Sequence, residues 1–177
     1  FLKNNTGEEM TIAKAFLEEL KQEAVSTKKL LERVPLEKGD WKPHEKSMAL
    51  ARLASHVAEN SKWIAMTIET DELDLAKHPY EPFIPKTTEE LIKFFEEQEK
   101  KAEKALLNCS DEEMMKNWTM RSRDQEYFTV PKVAMIRNFC INHTIHHRGQ
   151  LTVYLRLLDV PLPGIYGPTA DEDMKMG

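Results

Sequence analysis

The chain has 177 residues, the length of one ordinary domain. Hydrophobic residues make up 41% of it and charged residues 31%, a balance typical of a folded globular protein rather than of a disordered one. The net charge of −5 disfavours nucleic acids and anionic membrane surfaces as partners, because both are bound through clustered positive charge.

The first two predicted elements are helices. Apolar residues at helical spacing predict a helix over 10–34, which Pro35 ends. After a connector, Ser47 is the predicted cap of a second helix that ends near Thr70. His56 lies midway along this second helix, beside apolar positions.

A long connection and a third helix follow. The segment 71–87 contains three prolines and is predicted to be non-helical, a connection of the kind that lets two helices of a bundle run parallel. Thr87 or Thr88 then caps a helix that ends near Leu107. Its charged residues are interpreted as a solvated face. They are Glu89, Glu90, Glu96, Glu97, Glu99, Lys100 and Lys101.

A mixed region precedes the last helix. Ser110 is the predicted cap of a short helix over 111–117, and 127–130 is predicted to be extended. Pro131 suits the first turn of a fourth long helix, which ends near Leu158.

Together these elements predict an all-α protein. Four long amphipathic helices with two long connections are typical of a four-helix bundle. We expect a single domain over 1–177, in which residues from about 159 to 177 form a C-terminal tail.

The fourth helix carries a histidine pair on its apolar face. His143 and His147 are four residues apart, so a helix places them on one side with their Cβ atoms about 5–6 Å apart. Two imidazoles in this arrangement can bind one first-row metal ion. The alternative is a pair of hydrogen-bonded core histidines, because buried imidazoles need partners of some kind. The apolar face consists of Val133, Ile136, Cys140, His143, His147, Leu151 and Tyr154.

His56 is the candidate third ligand, because it is the only other histidine inside a predicted helix. Its alternative role is that of a structural core histidine. Cys140, one turn before the histidine pair, is either a soft fourth ligand or a buried thiol that packs as a small apolar side chain.

Further polar residues near these positions have different expected roles. Glu59, Asn60 and Gln150 are candidates to orient the ligands through hydrogen bonds. His44 and His78 adjoin prolines in connectors and are expected to be exposed.

The sequence lacks the motifs of several other enzyme classes. It contains no GxGxxG or GxxxxGK phosphate loop and no GxSxG serine motif. The histidine pair encloses Thr144, Ile145 and His146, so it lacks the general-base glutamate of an HExxH metalloprotease. Paired ExxH motifs, which hold di-iron centres in bundles, are also absent.

We expect a cytoplasmic protein with no membrane partner. No segment approaches the ~20 apolar residues of a membrane span, and none resembles a secretory signal. The two cysteines, Cys109 and Cys140, form no disulfide framework, which favours a reducing compartment.

Several sequence blocks resemble the DinB family, which includes the YfiT-type metalloproteins, and the resemblance covers nearly the whole chain. The most specific blocks are HTIHHRGQL at 143–151 and YGPTADE at 166–172. Supporting blocks lie at 40–48, 53–56 and 154–156.

The resemblance implies a four-helix bundle with a crossover connection and a metal site at its centre. It implies His56, His143 and His147 as the ligands, nickel or zinc as the divalent metal, and a homodimer. Some members of the family are thiol transferases that use a low-molecular-weight thiol such as bacillithiol or mycothiol, and this implies such a thiol, or another small molecule, as a substrate.

Two functions fit such a site. In the first, the protein is a metal-dependent enzyme, thiol S-transferase-like or hydrolase-like, because three histidines leave an open coordination position. Candidates to steer the substrate are Glu59, His146, Arg148 and Tyr154, and either the segment 79–85 or the tail controls access. In the second, the protein is a non-catalytic metal-binding protein of a stress or damage response, and the metal stabilises the fold.

Overall fold

The structure is a computed structural model that describes residues 10–172, and the predicted ends of the domain and of the tail lie outside the described residues. The molecule is predominantly helical, with one small sheet. The helices are α1 (Ile12–Leu31), α2 (Leu50–Glu59), α3 (Lys62–Glu69), α4 (Thr88–Leu107), α5 (Asp111–Met115), α6 (Lys132–Met135) and α7 (Asn142–Leu157). The strands are β1 (Glu72–Asp74), β2 (Asn117–Ser122) and β3 (Gln125–Pro131). A 3-10 turn covers Leu36–Lys38, and a π-helical segment covers Ile136–Ile141.

Side-chain caps define where three of the helices begin. The Thr11 hydroxyl accepts from the Lys14 amide at the start of α1, at 3.1 Å. The Thr87 hydroxyl accepts from the Glu90 amide at 3.2 Å and begins α4, as predicted. Ser110 likewise caps α5, as predicted. These hydroxyls satisfy backbone N–H groups that have no partner inside the helix.

The predicted cap of the second helix is wrong. Ser47 makes no cap, and α2 begins at Leu50 after the connector. The amides of Leu50 and Ala51 donate instead to the carbonyls of Trp41 and Gly39, at 2.8 and 2.9 Å. The connector backbone therefore supplies the acceptors that a capping hydroxyl would have provided.

The second helix is also interrupted, at Asn60 and Ser61. Both residues keep right-handed helical dihedrals, but here the backbone bonds tighten to i→i+3. The Trp63 amide donates to the Asn60 carbonyl at 3.2 Å, and the Ile64 amide donates to the Ser61 carbonyl at 3.0 Å. This short 3-10-like break separates α2 from α3.

A three-stranded sheet corrects the all-α prediction. The strand β1 lies in the predicted non-helical connection and pairs parallel with β2, with Leu73 opposite Met120. The strand β2 pairs antiparallel with β3, which contains the segment predicted to be extended. Trp118 is fully buried under this sheet, together with Leu73 and Met135. Burial of this apolar surface stabilises strands that carry little sequence signal of their own.

The last long helix has the predicted bounds but not a regular interior. Pro131 is the residue before its first turn, and the helical segments continue to Leu157. The π segment Ile136–Ile141 lies between α6 and α7. A π turn accommodates one more residue than an α turn, so it rotates the side chains that follow it relative to those that precede it.

The remaining core consists of two larger clusters. One joins α1, α2, α4 and α7, and includes Leu30, Leu53, Leu91 and Leu151. The other includes Phe16, Ile64, Leu106, Ile136 and Cys140. None of the described helices combines the length and the apolar character that crossing a bilayer requires.

Candidate metal centre

Three histidines meet between α2 and α7. His56 comes from α2, and His143 and His147 come from successive turns of α7. One ring nitrogen from each lies within 4.8 Å of the other two. The Nε2 atoms of His56 and His143 are 2.9 Å apart. For comparison, two zinc–nitrogen bonds at a tetrahedral angle place their nitrogens about 3.3 Å apart.

Packing of the two helices holds the histidines in this position. Leu53 and Val57, one on either side of His56 along α2, are buried in the same cluster as Leu151 of α7. His143 and His147 are four residues apart within regular α-helix, so their rings point the same way. The ring centroid of His56 is 5.1 Å from that of His143 and 4.5 Å from that of His147.

Hydrogen bonds occupy the outer nitrogens of two of the rings. His56 Nδ1 lies 2.9 Å from Glu59 Oε1, and His147 Nδ1 lies 2.7 Å from Gln150 Oε1. When Nδ1 donates to these oxygens, Nε2 carries a free lone pair. Metal-binding histidines in proteins are oriented by contacts of this kind. Glu59 and Gln150 therefore make the contacts for which the sequence singled them out.

Glu59 is the centre of a wider polar network. Its carboxylate is 1% exposed and accepts from Arg52 Nη2 at 3.1 Å and from the Tyr80 hydroxyl, and Lys62 Nζ lies 3.8 Å away. Burial acts to raise the pKa of Glu59, but hydrogen bonds from His56 and Tyr80 and the charges of Arg52 and Lys62 hold that pKa below its usual value. Glu59 is therefore a charged carboxylate next to the histidines.

Two members of this network, Arg52 and Tyr80, are not predicted from the sequence. Arg52 precedes His56 by four residues and Glu59 by seven, so helical spacing alone could have placed all three on one face. Tyr80 lies in the proline-rich connection, where no helical periodicity predicts the direction of its side chain. Its hydroxyl accepts from Arg52 Nη2 at 2.5 Å and donates to Glu59, so it attaches this connection to α2.

The surroundings of His143 and His147 on α7 favour the neutral forms of both rings. Burial and the nearby His56, His143 and His146 lower the pKa of His147 to about 4, although the hydrogen bond to Gln150 acts against these effects. Burial and the neighbouring histidines also lower the pKa of His143. A neutral imidazole has the lone pair that a metal ion requires.

A cavity of about 180 Å³ lies beside His56 and His143. Its other walls are Asn60, Trp63, Met120, Met135 and Phe139. Two of the three histidines, His56 and His143, therefore border an open space, as the ligands of a catalytic zinc ion do.

Cys140 does not join the histidines. Among residues 10–172, the metal-ligating group that includes His56, His143 and His147 contains no cysteine. Cys140 is buried in an apolar cluster and borders a separate small cavity with Leu20 and Glu99. Burial raises the pKa of its thiol, so it packs as a small apolar side chain, the second of the two roles considered for it.

Two of the four candidates to steer a substrate point away from the centre. Arg148 is 1% exposed and donates to Glu23 Oε2 at 2.5 Å and to the Thr27 hydroxyl at 3.0 Å, both on α1. The Tyr154 hydroxyl donates to the Met48 carbonyl at 3.2 Å. Both side chains hold elements together rather than face the cavity.

The other histidines are placed as the sequence indicated. His146 is exposed, and its ring centroid is 4.9 Å from that of His147. His44 and His78 are exposed in the connectors. Of the remaining steering candidates, Glu59 touches His56, and His146 lies at the rim of the centre.

The chain is similar to several known proteins. A sequence profile described as "DinB family" matches residues 4–175. "Uncharacterized protein YrdA" of Bacillus subtilis (strain 168) is 28% identical over 167 residues, which cover 92% of each chain.

Two solved structures are similar in fold. The crystal structure of a DinB-like protein (YjoA) from Bacillus subtilis has a TM-score of 0.67 at 20% identity, over 85% of this chain and 97% of that one. A DinB-like protein from Bacillus cereus ATCC 10987 has a TM-score of 0.65 at 22% identity, over 85% of this chain and 95% of that one. At these identities the likeness concerns the fold alone.

Proposed function

The chain belongs to the DinB family, and on that premise we propose that it is a metal-dependent enzyme whose divalent ion, zinc or nickel, is held by His56, His143 and His147. The observation that carries the proposal is the meeting of three ring nitrogens within 4.8 Å at the edge of a cavity. Three imidazoles are a donor set that both zinc and nickel accept.

The residues around the centre fit a bound cation. Glu59 and Gln150 face the Nδ1 sides of His56 and His147, which leaves the opposite nitrogens for the metal. The Glu59 carboxylate adds negative charge next to a site that would hold a positive ion. Because His56 and His143 line the cavity, a metal ion held by the three histidines would be within reach of a substrate there.

A divalent ion at this centre would lower the pKa of a water or thiol that reaches it. The reactions that follow from such chemistry are transfer of a low-molecular-weight thiol to an electrophile and hydrolysis of a small molecule. The protein's own residues have simpler tasks. Glu59 and Gln150 hold two ligand rings in one tautomer, and the apolar walls of the cavity exclude bulk water from the reacting groups.

The proposal includes the four-helix bundle and the homodimer that the family resemblance implies. In support of the bundle, α1 contacts α2, α4 and α7, and α2 contacts α4 and α7. We expect size-exclusion chromatography with light scattering to give twice the chain mass of 20.6 kDa. A mass of one chain would remove the homodimer from the proposal and leave the metal site untouched.

The second candidate function is a non-catalytic metal-binding protein of a stress or damage response. Its support is the burial of His147 between two helices, because a metal shared by α2 and α7 would stabilise their packing. Both candidate functions involve the same metal site. They differ only in whether the protein turns over a substrate.

The deciding measurement is metal content by mass spectrometry on untagged protein. We expect about one equivalent of metal per chain in the wild type, loss of that metal in His147→Ala, and retention of it in the control His146→Ala. No metal in the wild type, even after incubation with zinc, would overturn the proposal. Metal-loaded protein that turns over neither thiol-transfer nor hydrolysis substrates would favour the non-catalytic function.

A further inference from the structure

We propose that the cavity beside the histidines is a substrate subsite for an uncharged, mainly apolar group that carries one hydrogen-bonding polar atom, and that Asn60 recognises this atom. This inference rests on the proposed function for its biological meaning, because it assigns the substrate class of the same site. The observations that support it concern the lining of the cavity, so it can be tested without a metal.

The walls of the cavity exclude a charged occupant. Apart from the histidines and Asn60, the lining consists of two aromatic rings and two thioethers, from Trp63, Phe139, Met120 and Met135. No Asp, Glu, Lys or Arg of the described chain lines it. Without a metal ion at the histidines, a charged group placed there would lose its hydration and gain no side-chain partner of opposite charge. Flexible thioethers next to rings instead suit an apolar or aromatic group.

Asn60 is the exception in this wall. Asn60 is one of the residues that line the cavity, it is 1% exposed, and its buried Nδ2 atom has no hydrogen-bond partner among the described residues. Buried amides are nearly always paired, so an unpaired one needs an explanation. A polar atom on a ligand would supply the missing partner, as donor or as acceptor, because the two ends of the amide can exchange places.

Both helices that carry the histidines are irregular where they border the cavity. On the first helix, Asn60 lies in the 3-10-like break between α2 and α3. On the other, Phe139 lies within the π segment, and Met135 directly precedes it. Helical irregularities of this kind are concentrated at functional sites. Two of them on opposite walls of one space indicate a built cavity rather than a packing defect.

One residue of the cavity wall, Phe139, reaches the molecular surface beside the sheet. Phe139 lines the cavity and is also 43% exposed, so its ring extends from the interior to the surface. It stacks on Phe128 of β3, with ring centroids 4.9 Å apart and planes at 17°. A ligand that enters past these two rings reaches Asn60 and His143 from the open side.

The test uses nuclear magnetic resonance of methionine methyl groups in the full chain, before and after removal of metal by a chelator. The probes are 4-methylphenol, toluene and 4-methylbenzoate, which share a ring and differ in polarity and charge. In the metal-free protein we expect 4-methylphenol and toluene to shift the Met120 and Met135 signals saturably, and 4-methylbenzoate to bind at least ~10-fold more weakly. Equal binding of the benzoate to the metal-free protein, or no shift with any probe, would overturn the proposal.

Two variants assign the binding to the proposed residues. Asn60→Leu should weaken 4-methylphenol by about 5–10-fold, the range for one lost hydrogen bond, and should leave toluene unchanged or tighter. Met120→Trp should fill the cavity and weaken both probes, whereas the control Met115→Trp, at an exposed position of α5, should change neither. Equal weakening of both probes by Asn60→Leu would show a structural effect and would overturn the role of Asn60.

These outcomes are separable from those of the proposed function. If the protein takes up no metal yet binds 4-methylphenol in preference to the benzoate, the apolar subsite is supported and the metal chemistry is overturned. If the protein takes up metal at His56, His143 and His147 but shows no preference among the probes, the metal site is supported and the assigned substrate class is overturned.

Discussion

Among residues 10–172 two glutamates are buried, and their surroundings give them opposite properties. Glu59, beside the histidines, receives hydrogen bonds from Arg52 and Tyr80 and has Lys62 nearby, so its pKa lies below the usual value although burial acts against this. Glu99, on α4, is 9% exposed. Burial raises the pKa of Glu99 to about 7.

The difference shows that depth of burial does not decide the charge of a carboxyl group. What decides it is the set of donors and cations that the fold brings to it. Four polar neighbours stabilise the charge of Glu59, which can orient His56, whereas the Ser61 hydroxyl is the neighbour that favours ionisation of Glu99. Substitutions at each residue test this difference in charge between Glu59 and Glu99.

The largest effect is expected for Glu59→Ala. The variant leaves Arg52, Tyr80 and His56 without their common acceptor, so we expect the free energy of unfolding to fall by about 3 kcal/mol. Zinc affinity should fall by about 10–100-fold, because His56 loses the contact that orients it. Urea unfolding and zinc competition titration measure the two quantities.

The control for this variant is Glu97→Ala, at an exposed position of α4. It should change neither the stability by more than about 0.5 kcal/mol nor the zinc affinity. Should Glu59→Ala bind zinc as tightly as the wild type, Glu59 would have no part in orienting His56.

An intermediate effect, of opposite sign, is expected for Glu99→Gln. The folded-state pKa of about 7 lies above the ordinary value of 4.5, so the unfolded chain binds fewer protons than the folded one between these pH values. The wild type therefore loses stability as the pH rises from about 4.5 to about 7, and the loss is complete above that window. The glutamine variant lacks this loss.

We expect Glu99→Gln to match the wild type near pH 4.5 and to exceed its free energy of unfolding by roughly 2–3 kcal/mol at pH 8. Urea unfolding across this pH range measures the difference, with Glu97→Gln as the matched control. A difference that does not grow with pH would mean that Glu99 is ionised throughout, like Glu59.

The smallest effect is expected for Tyr80→Phe. The variant removes one hydroxyl from the Glu59 and Arg52 contacts, so the free energy of unfolding should fall by about 1 kcal/mol. Limited proteolysis should cut the connection between β1 and α4 faster, because this bond attaches it to α2. Tyr127→Phe, at an exposed position of β3, should behave as the wild type in both measurements.

The sequence predicted the long helices and the three histidines, because both rest on local spacing. The first and third helices follow from periodicity, the start of the third follows from Thr87, and the histidine pair follows from a four-residue interval; the first helix ends at Leu31, before the predicted limit at 34. His56 could be chosen because few histidines lie inside helices. In each case the information is contained within a few turns of one element.

What escaped the sequence depends on contacts between distant segments. The strand β1 has three residues, and its partner β2 lies some forty residues later, so neither shows a pattern of its own. Glu99 belongs to a charged run that is typical of a solvated face, and only the packing of α4 against α1 and α3 shows that it is buried. The π segment has no sequence signature. Because it contains Cys140 and precedes the histidine pair, the side chain of Cys140 points in a different direction from the histidine rings.

Arg148 has a consequence for how far the last helix can turn about its own axis. His147 and Arg148 are adjacent, so their side chains leave α7 about 100° apart, one toward the histidine centre and the other toward Glu23, Thr27 and the Tyr166 hydroxyl. Any rotation that carried His147 away from His56 would pull the guanidinium out of these bonds. The C-terminal segment, through Tyr166, thus limits the torsional freedom of the helix that carries two of the three clustered histidines, at a distance from the cavity and without touching it.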